Sequence, residues 1–290
     1  MLGKKKLTNY FYVIPIIALI ILFIYYPIVY NIDASFYSWD GISAEREFIG
    51  GQNYVDMMSD EVFFKALGNT AVFTLVTVGV GLVAGMLLAV ATLGNTPLQR
   101  LCKTLIFIPQ VLAPIIVANI FTWMYEMNTG LVNETLRAIG LGEFARAWLG
   151  DSQTALGAIM VAQIWQSVGW YLIMFNAALT TIPSDVIEAA RVDGANKVQT
   201  FWRVIVPMVK NTTISLIILG IIGSFKYFEL VWATTKGGPN HATELFSTYI
   251  YTNAFDFMEQ GYASAISVFV IALALIITAV QLRISLKERK

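Results

Sequence analysis

Six separate runs of apolar residues, each about as long as a bilayer is thick, constrain this chain more than any other feature of its sequence. They lie at residues 10–32, 66–92, 104–125, 155–181, 211–233 and 262–282. A helix needs about 20 such residues to cross the hydrocarbon. Backbone amides find no partners in lipid, so each run must satisfy them internally, as a helix. A lipid-facing barrel would need alternating apolar and polar residues, which these runs lack. Composition agrees: 57% of the 290 residues are hydrophobic and 13% are charged, against roughly 45–50% and about 25% in soluble domains. The expected fold class is all-α, a polytopic transmembrane helix bundle of six spans.

Basic residues set the direction. With the N-terminus inside, thirteen lysines and arginines fall in cytoplasmic segments and five in outer ones, while Lys226 lies within a span. That asymmetry places both termini in the cytoplasm. The first run is too long for a secretory signal and no small-residue cleavage pattern follows it, so it is read as a retained anchor helix. The expected division is residues 1–65 as anchor helix and outer loop, and 66–290 as a five-span core with a cytoplasmic loop at 182–210. Zero net charge gives no reason to expect nucleic acid as a partner. One cysteine, Cys102, forms no internal disulfide, and one histidine, His241, builds no His-rich metal site. Neither has the neighbours that catalysis needs. No catalytic residue, metal or cofactor is expected.

The inner loop is the most informative segment. Residues 182–210 read IPSDVIEAARVDGANKVQTFWRVIVPMVK. Pro183 and Ser184 end the fourth run and open a helix, and Asp185 with Glu188 has capping-box spacing. Val186, Ile187, Ala189, Ala190 and Val192 give a small-residue apolar surface. Gly194 stands where a left-handed turn stops a helix. Phe201, Val204 and Ile205 share one face of a second short helix, bounded by Pro207. The residues alone leave two readings open. One is an amphipathic pair resting on lipid headgroups. The other is a protein-docking element, in which the alanines beside Glu188 and Asp193 permit close approach.

Glu188-Ala189-Ala190, Gly194 and Pro207, with Asp193 and Ala195 in the D-G-A form, are spaced in a way that resembles the EAA loop of ATP-binding-cassette importer permeases. Val204 and Val206 stand where that family carries Ile and Leu, which keeps the apolar character. FIGGQNYVDMM at 48–58, FFKALGNTAVFT at 63–74, GLVNETL at 130–136, TTKGGPNHATELFSTYIYTNAF at 234–255 and GYASAIS at 261–267 are similar to segments of the sugar-importer branch. The similarity is greatest to the maltose and glycerol-phosphate type with an extra first helix. This resemblance implies a multi-pass protein of the prokaryotic cytoplasmic (inner) membrane. Its implied partners are a second permease subunit in a heterodimer, an ATP-binding-cassette ATPase dimer and an extracytoplasmic solute-binding protein. It also implies that Glu188, Ala189, Ala190, Asp193, Gly194 and Pro207 form the ATPase-coupling contact.

The chain carries no phosphate-cradling G-x-x-x-x-G-K-[ST] loop, so its energy source is another polypeptide, an ion gradient, or nothing. Gly79, Gly81 and Gly85 fall inside the second run and are read as helix-packing positions. Candidates for a solute path are Gln163, Gln166 and Trp170 on one face of the fourth run, and Ser224, Lys226, Tyr227 and Glu229 in the fifth. Glutamines both donate and accept, as sugar hydroxyls require, and aromatic rings pack on sugar faces. The glutamines equally suit interhelical hydrogen bonds. Lys226 and Glu229 line a cavity, pair with each other, or leave Lys226 snorkelling to the interface. Pro109 and Pro114 each favour a bend in the third run. Two other functions remain open. An ion-gradient transporter often has internal repeats with interrupted helices, and the two halves show no convincing repeat. A membrane-embedded enzyme finds no support in the residues.

Overall fold

The computed structural model describes residues 13–287. The lysines at 4–6, the start of the first run and the last three residues lie outside them, as do the side chains of 282 and 284–287. Helix α1 is Val13–Ala34, followed by a short hairpin of β1 (Tyr37–Ser38) and β2 (Glu47–Phe48) paired Tyr37 to Phe48. Helices α2 (Gln52–Ser59), α3 (Glu61–Ala91), α4 (Pro97–Val111), α5 (Pro114–Met124) and α6 (Leu131–Ala138) come next. They are followed by α7 (Ala155–Leu179), α8 (Ser184–Val192), α9 (Lys197–Met208), α10 (Lys210–Phe225) and α11 (Glu229–Thr234). The chain closes with α12 (Phe246–Tyr251), a π turn at Thr252–Asp256, and α13 (Gln260–Lys287).

Four helices (α1, α3, α7 and α13) are long and apolar enough to cross a bilayer unbroken. The other two expected spans are each a pair of helices. Helices α4 and α5 meet at 98°, and α9 and α10 at 66°. The third run is therefore not one straight helix, and its two prolines differ in effect. Pro109 sits inside α4 without ending it. Pro114 opens α5, and Leu112 and Ala113 before it are extended at ψ 138° and 137°. The residue before a proline is driven out of the helical region by the ring, so the break falls there.

Helix α1 and helix α9 meet their prolines differently. Each widens into a π turn just ahead of the ring, at Ile21–Tyr25 before Pro27 and at Phe201–Ile205 before Pro207. The amides of Tyr26 and Val206 reach back to the carbonyls of Ile21 and Phe201. An i→i+5 turn makes room where the proline ring would clash with the carbonyl four residues earlier. Pro207 therefore does not bound the second loop helix as expected; the helix runs on to Met208.

The described residues divide into two compact units, 13–63 with 249–276, and 64–248 with 277–287. The stretch 249–276, read from sequence as part of the core, is grouped with the N-terminal unit. In that unit α1 has no buried residue except Ala34. Asn53 ties the hairpin to α2 by donating to the carbonyls of Ser35 at 2.8 Å and Tyr37 at 3.0 Å. Phe63 and Phe269 pack edge to face at 5.2 Å.

The larger unit has two apolar cores. One joins Phe73, Val117, Ala118, Phe121, Ile159 and Ala162 to Leu230 and Val231 of α11. The other joins Met86, Tyr171, Phe175 and Leu179 to Ile205, Val209 and Leu216. Lipid is as apolar as these side chains, so close approach holds the helices together. A Cβ at Gly85 would lie 2.9 Å from the Tyr171 carbonyl carbon, and one at Gly169 would lie 2.7 Å from the Phe107 Cα. Gly81 faces the same tyrosine, whereas Gly79 faces open space, so of the three glycines singled out in the second run the packing role falls to Gly81 and Gly85.

Candidate functional site

Helix α8 carries the sequence expected to couple to an ATPase, and none of its residues is buried. Glu188, Ala189, Asp193 and Gly194 are exposed, Ala190 is half-buried, and Val192 is 87% exposed. The helix touches α9, which follows it, but leaves most of its apolar residues outward-facing. Its end is built as expected: Gly194 lies at φ +81°. The Gly194 amide donates to the Arg191 carbonyl at 3.0 Å, and the Ala195 amide to Ala190 at 2.9 Å. These two bonds form a Schellman cap, which requires a left-handed residue at that position.

The start of α8 differs from expectation. Pro183 holds the cap position and no side chain caps the helix, so Asp185 lies within the first turn and forms no box with Glu188. Asp185 there faces the positive end of the helix dipole. The capping box instead opens α9, where Asn196 and Gln199 exchange side-chain to backbone hydrogen bonds of 2.9 Å each. Ile205 and the half-buried Phe201 then anchor α9 in the second core, against α3, α7 and α10. Pro207 is exposed at the end of this rod.

The solute-path candidates divide. Gln163, Gln166, Trp170, Ser224 and Tyr227 line one cavity of about 400 Å3, walled by α3, α7, α10 and the α4–α5 break. Lys226 and Glu229 do not. Helix α10 ends at Phe225, Lys226 caps it, and both charged residues are exposed. No ion pair joins them among the described residues. The break follows from α11, whose Leu230 and Val231 are buried against Val117, Ala118 and Phe121. Without charged side chains, the cavity wall presents amides, hydroxyls and rings.

Within the cavity the two glutamines do different work. Gln166, 7% exposed, donates its amide to the Leu112 carbonyl at 2.9 Å. That carbonyl lies at the broken end of α4, so Gln166 satisfies an acceptor that the bend releases. Gln163 instead accepts from the Tyr227 hydroxyl, and the Tyr227 ring packs on Phe73 at 5.1 Å. Ser167, on the same span as these glutamines, also lines the cavity, and residues not singled out from sequence contribute, notably Thr77 and Gln110. Gln110 lies four residues before Pro114, and only the bend brings it to the wall.

His241 lies in the segment between α11 and α12, with Nδ1 3.0 Å from Glu244. Cys102 is half-buried and unbridged. Among the described residues no group of three His, Cys, Asp or Glu is placed to hold a metal.

Comparison with known proteins follows the same line. Residues 81–290 match the family described as binding-protein-dependent transport system inner membrane component. The chain is 34% identical over 98% of its length, and 97% of the relative's, to the probable ABC transporter permease YurN of Bacillus subtilis. It is 31% identical, over 98% of both chains, to the multiple sugar-binding transport system permease MsmF of Streptococcus mutans. In fold it is similar to a chain of a bacterial alginate ABC transporter crystallised with alginate pentasaccharide-bound periplasmic protein. That likeness has a TM-score of 0.87 and 23% identity, over 99% of this chain and 96% of that one. The chain belongs to the family of binding-protein-dependent transport system inner membrane components.

Proposed function

We propose that this chain is one of two permease subunits of a sugar importer in a prokaryotic cytoplasmic membrane, with α8 as the element that receives work from a separate ATPase. The carrying observation is α8 itself, a capped helix with no buried residue, bearing Glu188, Ala189, Ala190, Asp193 and Gly194. The distribution of basic residues supports a cytoplasmic position for this loop and for both termini. ATP binding draws two ATPase subunits together and moves the docked loop. Helix α9 passes that motion into α10, which carries Ser224 of the cavity wall. Nucleotide shifts such an equilibrium by its differential affinity for the two states.

The cavity suits a neutral, hydroxyl-rich solute. Its polar wall comprises Gln110, Gln163, Gln166, Ser167, Thr77, Ser224 and Tyr227, with Trp170 as an aromatic surface. No lysine or arginine lines it, which disfavours a phosphorylated solute. The sugar transport named for MsmF supports the same class. Solute arrives from an external binding protein, as the family description requires.

The test is uptake of labelled sugars into vesicles that hold the complete complex. Uptake should need internal ATP together with the binding protein. Persistence in ATP-free vesicles holding only a proton or sodium gradient sinks the reading.

A further inference from the structure

The unit of residues 13–63 and 249–276 holds a second cavity, of about 820 Å3. Five carboxylates line it (Asp40, Glu45, Asp56, Asp60 and Glu259) with no lysine, arginine or histidine. They do not converge on an ion, since no three such side chains among the described residues are placed to hold one. Asp40 and Asp60 stay ionised. Hydrogen bonds from Ser43 and the Ile42 amide hold Asp40 down at about 2. Burial alone would raise Asp60, but hydrogen bonds from Tyr249 and Tyr262 outweigh it and keep its carboxyl below the usual range.

The hydrogen-bond inventory of the wall is one-sided. Trp39 Nε1 donates to the Ser43 carbonyl at 2.8 Å, and the Ser43 hydroxyl to Asp40 at 2.5 Å. Asn53 gives its amide hydrogens to Ser35 and Tyr37, and both tyrosine hydroxyls go to Asp60. Nearly every donor is thus committed within the wall, and acceptors remain. The side-chain oxygens of Asn53 and Asn253, residues only 6% and 2% exposed, receive no hydrogen bond from any described residue. Glu45 and Glu259 form no side-chain hydrogen bond or ion pair among the described residues. A sugar hydroxyl both donates and accepts, so it matches such a wall poorly. A guanidinium or ammonium only donates, and matches it well.

We propose that this cavity receives a basic side chain, arginine or lysine, presented by the solute-binding protein as it docks on the outer face. This rests on the importer reading and on these loops lying outside. Carboxylates take a guanidinium in charge-assisted pairs. Trp39, Phe257 and Tyr262 add aromatic rings to the wall, and such rings attract a cation. An anionic mouth also speeds encounter with a basic partner, in a manner that salt suppresses.

The experiment uses the complete importer in nanodiscs and its own solute-binding protein, at 50 and 500 mM NaCl. Docking should weaken with salt in the wild type. Glu45→Gln with Glu259→Gln should weaken it about fivefold to tenfold at low salt, with little effect at high salt. N-acetyl-arginine ethyl ester should compete with docking, and N-acetyl-citrulline ethyl ester, which carries no charge, should not. Low-salt docking of the variant equal to the wild type overturns the proposal. So does loss of the second permease from the variant complex, which would assign the cavity to subunit pairing. Normal ATP-driven uptake alongside salt-insensitive docking sinks this proposal alone, whereas absent ATP-driven uptake by the wild type sinks the importer reading.

Discussion

Replacing Gly194 separates two accounts of how α8 couples to an ATPase. At φ +81° the residue is left-handed, and a Cβ there meets nothing within 4 Å of it in this chain. A side chain therefore costs backbone strain alone, about 1–2 kcal/mol for an ordinary L-residue and most for a β-branched one. At about 1.4 kcal/mol per factor of ten, that is roughly a 5–30-fold shift from the capped to the frayed helix end. Asparagine tolerates the left-handed region and should lose little. The series glycine, asparagine, alanine, valine should lower solute moved per ATP hydrolysed in proteoliposomes in that order, with valine down by about tenfold and membrane insertion intact. If asparagine and valine fail alike, the glycine matters for room at the partner surface and not for the cap. If valine transports normally, α8 has no coupling role.

Three further outcomes follow from the packing. Gly169→Ala puts a Cβ 2.7 Å from the Phe107 Cα, which is backbone, so α4 must shift; overpacking of about 1–3 kcal/mol should appear as a lower melting temperature of the complex. Gln163→Ala removes the acceptor of the Tyr227 hydroxyl and should change the apparent KM for solute about fivefold; Glu229→Gln, outside the cavity, should leave solute preference unchanged, and an equal effect of both would remove the cavity assignment. Asp60 titrates below its ordinary 3.8 in the folded chain, so its stabilisation is full above that pH and is lost as pH falls through the lower folded value. Asp60→Asn should cost about 2 kcal/mol near pH 7 and flatten that acid loss, read from melting between pH 7 and 3; an unchanged acid limb would show that other carboxylates set it.

Much of this architecture was legible because its causes are local. A lipid span declares itself by length and apolarity, and Gly194 by the cap geometry that only a left-handed residue completes. The break before Pro114 was legible for the same reason, since a proline acts on the residue beside it. The capping box of α9 was legible too, as N-x-x-Q at 196–199, but the Asp185–Glu188 pair drew the reading to the wrong helix. The break at Lys226 was not legible. No proline marks it and Gly223 lies inside the helix three residues earlier; the break goes with the burial of Leu230 and Val231 beside Phe121, more than a hundred residues earlier. That distant packing also moves Lys226 and Glu229 off the cavity. Gln166 looked like a solute ligand because nothing in α7 states that a carbonyl 54 residues away would need its amide.

The two π turns that precede prolines carry an arithmetic of their own. Each holds one residue more than an α turn, and each lies just before a proline, at 21–25 and at 201–205. Removing a single residue from either turn would return it to ordinary α winding while keeping the faces above and below in register. The same deletion elsewhere in α1 or α9 would rotate everything beyond it by about 100°. At these two short windows the length of α1 and α9 can change by one without disturbing what those helices present.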